Sequence, residues 1–213
     1  MRKASLGLLL LAVLLVGIAP VAIADTITYQ LTVDNCTGGC NPNPGTSMGT
    51  VTLTDTAGGV LVTISLVSPL KFVNTGLQET IDFNLTGISS GVSATGFSNT
   101  NFSLLSGTAG SNHFDGLGNF AYAVTLNTAQ GAGGAQASPL SFTVSATGLT
   151  AASFGANANG FVFGVDVYNP TRNTTGPIGT SGGVPTVPEP SSMALLGSGL
   201  MGLAGAIKKR FGK

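Results

Sequence analysis

Thr26-Ile27-Thr28-Tyr29-Gln30-Leu31-Thr32-Val33 decides the fold. Ile27, Tyr29, Leu31 and Val33 alternate with Thr26, Thr28, Gln30 and Thr32. A period of two belongs to a β-strand with one face buried and one in water, and such strict alternation is typical of antiparallel sheets. Working outward, Val60, Val62, Ile64 and Leu66 keep the same period, as do Ile81, Phe83 and Leu85. So do Phe120, Tyr122, Val124 and Leu126, then Leu140, Phe142, Val144 and Ala146, and last Phe161, Phe163, Val165 and Val167. Turn chemistry separates these runs at Pro42-Asn43-Pro44-Gly45, Ala57-Gly58-Gly59, residues 131–134 and residues 156–160. The pattern predicts an all-β fold, an antiparallel two-sheet sandwich or jelly roll, with one short helical turn within 148–154. No internal repeat is present, which argues against a solenoid or a propeller.

Charge is distributed in a way that the formal balance of zero hides. Basic residues gather at the ends, as Arg2 and Lys3 in front and Lys208, Lys209, Arg210 and Lys213 behind. Between residues 25 and 187 only Lys71 and Arg172 are basic, against Asp25, Asp34, Asp55, Glu79, Asp82, Asp115 and Asp166. A mildly acidic, charge-poor body lacks the clustered Lys and Arg that nucleic acid requires, so nucleic-acid binding is excluded. About 160 residues remain between the ends, enough for one domain with a substantial core.

The front end, Arg2-Lys3, an apolar run over 6–19, Pro20 and Ala22-Ile23-Ala24, has the three parts of a secretory signal peptide, with cleavage expected between Ala24 and Asp25. A lasting membrane span is disfavoured because the run is shorter than the ~20 residues a span needs. At the other end the alternation stops after Val167. Pro170, Gly176, Pro177, Gly179, Gly182, Gly183 and Pro185 predict a flexible linker over 172–187, following a β domain over 25–171. An apolar stretch at 193–207 then rises only ~22 Å as a helix against a hydrocarbon core of about 30 Å. Ser191 or Ser192 can cap it, while Gly197, Gly199, Gly202 and Gly205 weaken it. A short transmembrane helix over 192–207 is therefore marginal, as suits a segment held only until it is processed. Lys208-Lys209-Arg210 behind it and Arg2-Lys3 in front both obey the positive-inside rule, which leaves the body outside.

Val187-Pro188-Glu189-Pro190, a Gly-rich apolar helix and a terminal basic cluster together resemble the PEP-CTERM sorting signal of Gram-negative bacteria, a segment also known as the ice-binding protein C-terminal domain. The resemblance covers residues 187–213. It implies recognition by an exosortase, a membrane-embedded cysteine transpeptidase. Pro188, Glu189 and Pro190 would be its recognition triplet, and Lys208, Lys209 and Arg210 the retention cluster. It also implies a transient stay in the inner membrane, an exopolysaccharide-producing host, and a final place at the cell surface or in the extracellular matrix. Phe72-Val73-Asn74-Thr75-Gly76 and Phe83-Asn84-Leu85 resemble bodies attached to this signal, with no activity implied.

Cys36 and Cys40 flank Thr37-Gly38-Gly39. Outside the cytoplasm a disulfide is the first reading, free thiols the second, and a zinc set is short of ligands. His113 lies in Ser111-Asn112-His113-Phe114-Asp115 without any Gly-x-Ser-x-Gly elbow, so a solvated histidine is expected rather than a triad. Glu79 and Asp82, three apart on a strand, are expected on opposite faces and hence unable to act as a glycosidase pair. No Asp-x-Asp-x-Asp-Gly calcium loop is present, so neither a metal nor a cofactor is expected. Thr50, Thr52, Thr54 and Thr56 would line one strand face, the kind of surface used against ice, yet equally the wet face of any sheet. Carbohydrate platforms usually stack on exposed aromatic rings; Trp is absent, and Tyr29 and Tyr122 fall on buried faces, leaving Tyr168. The sequence thus points to an exported, non-catalytic surface or matrix protein, with a glycan-binding module as the alternative.

Overall fold

A computed structural model describes residues 26–76, 79–105 and 112–180. The strands in chain order are β1 Thr26–Asp34, β2 Gly49–Thr56, β3 Gly59–Leu66, β4 Lys71–Phe72, β5 Glu79–Leu85, β6 Ser93–Thr95 and β7 Phe102–Leu105. They continue as β8 Asn112–Phe114, β9 Gly118–Phe120, β10 Tyr122–Leu126, β11 Leu140–Ser145, β12 Phe154–Gly155, β13 Phe163–Asn169 and β14 Thr174–Thr180. All strand pairs are antiparallel. Only short 3-10 turns interrupt them, one of them Ala151–Ser153, inside the stretch expected to hold a helical turn.

Instead of two separate sheets, twelve strands form one hydrogen-bonded sheet in the order β6-β11-β3-β2-β1-β14-β13-β5-β10-β7, with β12 on β5 and β4 on β13. The two ends of that order, β6 and β7, approach one another, so the sheet is a nearly closed barrel. The join is β1. Its residues 26–30 pair with β2, and Leu31 to Asp34 pair with β14 after a shift of register between Leu31 and Val33. Continuity removes two of the exposed edges that a pair of sheets would have to protect.

Alternation fills the interior as expected. Ile27, Tyr29, Leu31, Val51, Leu53, Val62 and Ile64 from one half meet Ile81, Phe83, Phe163, Val165 and Ile178 from the other in a single core. Tyr29 links the halves: its ring lies 6.1 Å from that of Phe163, and its hydroxyl donates to the Phe154 carbonyl at 3.4 Å.

Two expected segment boundaries are corrected as well. Residues 120–126 do not form one strand. The break falls at Ala121, whose N–H donates to Asn84 Oδ1 at 2.7 Å, and Phe120 leaves the main core for a second cluster with Phe114 and Leu117. The linker expected from 172 also fails at Thr174–Thr180, which is β14, paired with β1 on one side and β13 on the other. This strand is covered on both sides at close range, and that is why it carries so few large residues. A Cβ at Gly176 would sit 2.8 Å from Cys36 Cα, and one at Gly179 would sit 2.8 Å from a Leu117 methyl. The signal peptide over 1–24, the Ala24–Asp25 junction, residues 181–187, the Pro188-Glu189-Pro190 triplet, the helix over 192–207 and Lys208-Lys209-Arg210 lie outside the described residues. Among the described residues no helix is long and apolar enough to cross a membrane.

Candidate functional site: a buried acid cleft

Opposed residues on neighbouring strands share a face, so register tells which side chains meet. Phe163 lies opposite Phe83, and Val165 opposite Ile81; all four point into the core. The intervening positions point outward. Asp82 is opposite Gly164 of β13 and Ala123 of β10, and Asp166 emerges two residues further along β13, opposite Pro177 of β14. Glu79 joins them through a bulge. Ile81 pairs with Val124 but Glu79 with Thr125, so Thr80 is an extra residue and Glu79 turns to the outer face.

That outer face is covered by the β8–β9 hairpin. Phe114, Leu117 and Phe120 form a small apolar cluster with Val33 and Phe161 and press on β13 and β14 where these are glycine. A Cβ at Gly164 would come within 2.4 Å of the Phe114 ring. Three polar links hold the hairpin region down. The His113 N–H donates to Glu79 Oε2 at 3.2 Å, the Ala121 N–H donates to Asn84, and Asn157 Nδ2 donates to the Leu117 carbonyl at 2.9 Å.

Between the hairpin and the sheet is a cleft of about 230 Å³, lined among others by Thr75, Glu79, His113, Asp115, Asp166 and Pro177. Asp166 is 2% exposed. Its Oδ2 accepts from the Thr75 hydroxyl and its Oδ1 has no partner. Asp82 is 0% exposed, and neither of its carboxylate oxygens has a partner. Burial, reinforced by the charges of Glu79 and Asp166, pushes the Asp82 carboxyl up to about 9. Asp166 is pushed up to about 7 by burial, against the pull of its Thr75 hydrogen bonds and with a further push from Asp115 and Glu79. Glu79 is raised by burial, opposed by the His113 N–H and the His113 charge. Glu79 and Asp166 line the cleft and Asp82 stands beside them on β5 without lining it; raised carboxyls at a cleft mark a candidate site on physical grounds.

Glu79 and Asp82 therefore share a face, contrary to the strand-parity expectation, and the bulge at Thr80 is the reason. His113 is half-exposed on β8; its Nε2 is 3.6 Å from Asp115 Oδ1 and its Nδ1 is 2.7 Å from Asn119 Oδ1. The hydroxyl in the cleft is that of Thr75, which bonds to Asp166 rather than to His113. Sequence reasoning missed Asp166 and considered Asp115 only as a neighbour of His113. One signal was present: in a body so poor in charge, Glu79, Asp82 and Asp166 fall within strand patterns, where acids are unfavourable.

Cys36 and Cys40 are joined in a disulfide with Cα atoms 5.5 Å apart. Its loop is tied by Asp34, whose carboxylate accepts from the N–H groups of Cys36, Cys40 and Asn41 at 2.8–3.1 Å. Gly38 and Gly39 take φ of 83° and 77°, a left-handed pair that side chains would strain. Asp34, Cys36 and Cys40 bring potential ligand atoms within 4.8 Å of one another, but the two sulfurs are spent on each other.

The threonine row of β2 extends across its neighbours: Thr28, Thr52 and Thr63 stand opposite one another on β1, β2 and β3, with Ser141 next on β11. The outer face of that half is a ladder of uncharged hydroxyls.

The described body is thus an all-β domain of one nearly closed antiparallel sheet, with an acid cleft under an external hairpin. Its route is given by another part of the chain. Residues 186–210 match the PEP-CTERM protein-sorting motif, so the chain carries that sorting signal. The motif implies export, recognition by the membrane enzyme exosortase, and membrane anchoring before processing. No curated protein and no solved structure matches the chain.

Proposed function

We propose that the protein is an exported, non-catalytic component of the cell surface or extracellular matrix, delivered by exosortase through Pro188-Glu189-Pro190 and released from a short helical anchor over 192–207. The sorting motif over residues 186–210 carries this reading. The basic cluster Lys208-Lys209-Arg210 supports it, because it orients the anchor with the body outside.

The non-catalytic part draws support from the cleft. Now that Glu79 and Asp166 share it, an acid pair for glycoside hydrolysis has to be weighed by size. Ligand pockets generally run ~300–1,000 Å³, and about 230 Å³ lies below that range and is small for two sugar rings. The hydroxyl and imidazole there are engaged with other partners, Asp166 and Asn119. Replacing Glu189 by Gln in the producing cell tests the sorting claim. Accumulation of an unprocessed, inner-membrane form supports it, and unchanged arrival at the surface contradicts it.

A second reading, a glycan-binding module for exopolysaccharide, is favoured by the hydroxyl ladder over β1, β2, β3 and β11, which presents donors and acceptors without charge. Pull-down by the host polysaccharide, abolished in Thr52→Val with Thr63→Val, would favour it. No retention at millimolar sugar would leave the structural role.

A further inference from the structure

The β8–β9 hairpin is a two-stranded sheet of its own, laid on the large sheet without joining any of its ladders. A lone hairpin is marginal in water, so its order depends on what it covers. Its apolar hold is small: Phe114, Leu117 and Phe120 pack with Val33 and Phe161. The polar groups at this layer are poorly matched. Asp82 is fully buried with neither carboxyl oxygen partnered, Asp166 Oδ1 has no partner, and Asn112 Nδ2, on β8 itself, has none either. Buried polar atoms almost always have partners, and a carboxyl shut away without one is tolerated far better neutral than ionised. No neighbouring group neutralises these acids. Glu79 on β5 and Asp115 on the hairpin are acids themselves, and His113 is half-exposed and turned to Asp115 and Asn119. Lys71 of β4 stands opposite Tyr168, two residues along β13 from Asp166, and among the described residues no Lys or Arg forms an ion pair. β10 and β14 bring no charged residue.

We propose that the β8–β9 hairpin is a pH-operated flap, closed over Asp82 and Asp166 while these are neutral and lifted from β5, β13 and β14 when they lose their protons, so that water reaches them. The hairpin is the part that gives way. Asp82 sits on β5 between β10 and β13, and Asp166 on β13 between β5 and β14, so each acid belongs to a strand held by ladders on both sides. Parting those strands would break the large sheet. Lifting the hairpin breaks one small apolar cluster and two polar links, from the His113 N–H to Glu79 and from Asn157 Nδ2 to the Leu117 carbonyl. Phe114 and Leu117 rest on Gly164 and Gly179, where β13 and β14 offer backbone and no side chain to interlock with. Burial holds Asp166 at about 7 and Asp82 at about 9, whereas a hydrated aspartate releases its proton near ~4. The closed form therefore binds more protons than the open one, and closure weakens as pH rises through 7 and toward 9. Glu79 is raised by burial in the same sense, although the His113 N–H favours its charged form. The device does not depend on the sorting reading.

The test is amide hydrogen exchange on the full-length chain in detergent, followed from pH 5 to pH 9 and corrected for the intrinsic pH dependence of exchange. Each ionising acid changes the closed-to-open ratio by up to about tenfold per pH unit, so protection over 112–120 should fall roughly a hundredfold or more across this range. β2 and β3 should still exchange slowly at pH 9, and return to pH 5 should restore the hairpin. Asp82→Asn should shrink the fall by about tenfold or more, chiefly above pH 7, while Thr52→Val on β2 leaves it unchanged. Hairpin protection that stays constant from pH 5 to pH 9 in the unmutated chain overturns the proposal without reliance on any variant folding. Loss of hairpin and β2–β3 protection together also overturns it, and so does a full fall retained in a folded Asp82→Asn chain.

Discussion

Glu79 and Asp82 stand three residues apart on β5 and yet face the same side of the sheet, because the bulge sets Glu79 and Thr80 together against Thr125. From this relationship follows the acid cleft. It brings one carboxylate to the His113 N–H and another beneath the hairpin, with Asp166 supplied by the neighbouring strand.

The first prediction concerns pH. Folded Asp82 and Asp166 hold their protons to about 9 and about 7, whereas unfolded aspartates release them near ~4. Between these limits the folded state binds more protons than the unfolded one, so stability is full at about pH 4 and is lost as pH rises through 7 and toward 9. Glu79 from β5 shifts in the same direction, and Asp115 and His113 are the other titratable groups that face the pair. Urea unfolding should therefore give a more stable protein at pH 5 than at pH 8. Asp82→Asn should reduce the slope by up to ~1.4 kcal/mol per pH unit. A stability that is flat or rising from pH 5 to pH 8 would count against the buried, unpaired state of these acids.

A second prediction concerns the hairpin. Gly164→Ala places a methyl within 2.4 Å of the Phe114 ring, and Phe114 sits in the small cluster that anchors β8 and β9. Overpacking of this kind costs about 1–3 kcal/mol, and hydrogen exchange should show Asn112, His113 and Phe120 losing protection before the β2–β3 pair does. Uniform loss across the sheet would mean that the hairpin is not a separate layer.

The disulfide gives a third. Converting Cys36 and Cys40 to alanine removes a five-residue cross-link worth about 2 kcal/mol on chain-entropy grounds. Asp34, which ties the same loop through three N–H groups, should preserve its shape. A double variant that melts only a few degrees lower is the expected outcome; failure to fold would give the cross-link a role the geometry does not require.

A fourth tests the strand that looked like a linker. A chain ending at Arg172 lacks β14 and so separates β1 from β13, exposing two strand edges in the middle of the sheet. It should show no cooperative unfolding, whereas a chain ending at Thr180 should melt with the full-length body.

How much of this was legible in the sequence follows from where the period of two survives. Ile27, Tyr29 and Leu31 face the core as alternation requires, and the all-β class follows from many such runs. Two bulges break the parity. One, at Thr32, sets Val33 against Gly179 and turns it toward Phe114 and Leu117; the other, at Thr80, turns Glu79 toward Asp82. A bulge adds one residue without altering composition, so no sequence pattern announces it. The β14 strand was hidden for a different reason: Gly176, Pro177 and Gly179 read as breakers, but in a strand pressed on both faces small residues are what fit. The acid site was missed because its members come from β5, β13 and the hairpin, and only the sheet order brings these together. The sorting signal, by contrast, is contiguous and was readable in order along the chain.

The most direct test of the central claim, that this is a sorted and processed surface protein, is the intact mass of the form recovered from the cell surface or the medium of the producing bacterium. The account predicts a chain that begins at Asp25 and ends at or near Pro188-Glu189-Pro190, without the apolar segment and without Lys208-Lys209-Arg210. A surface form whose mass extends to Lys213 would contradict it.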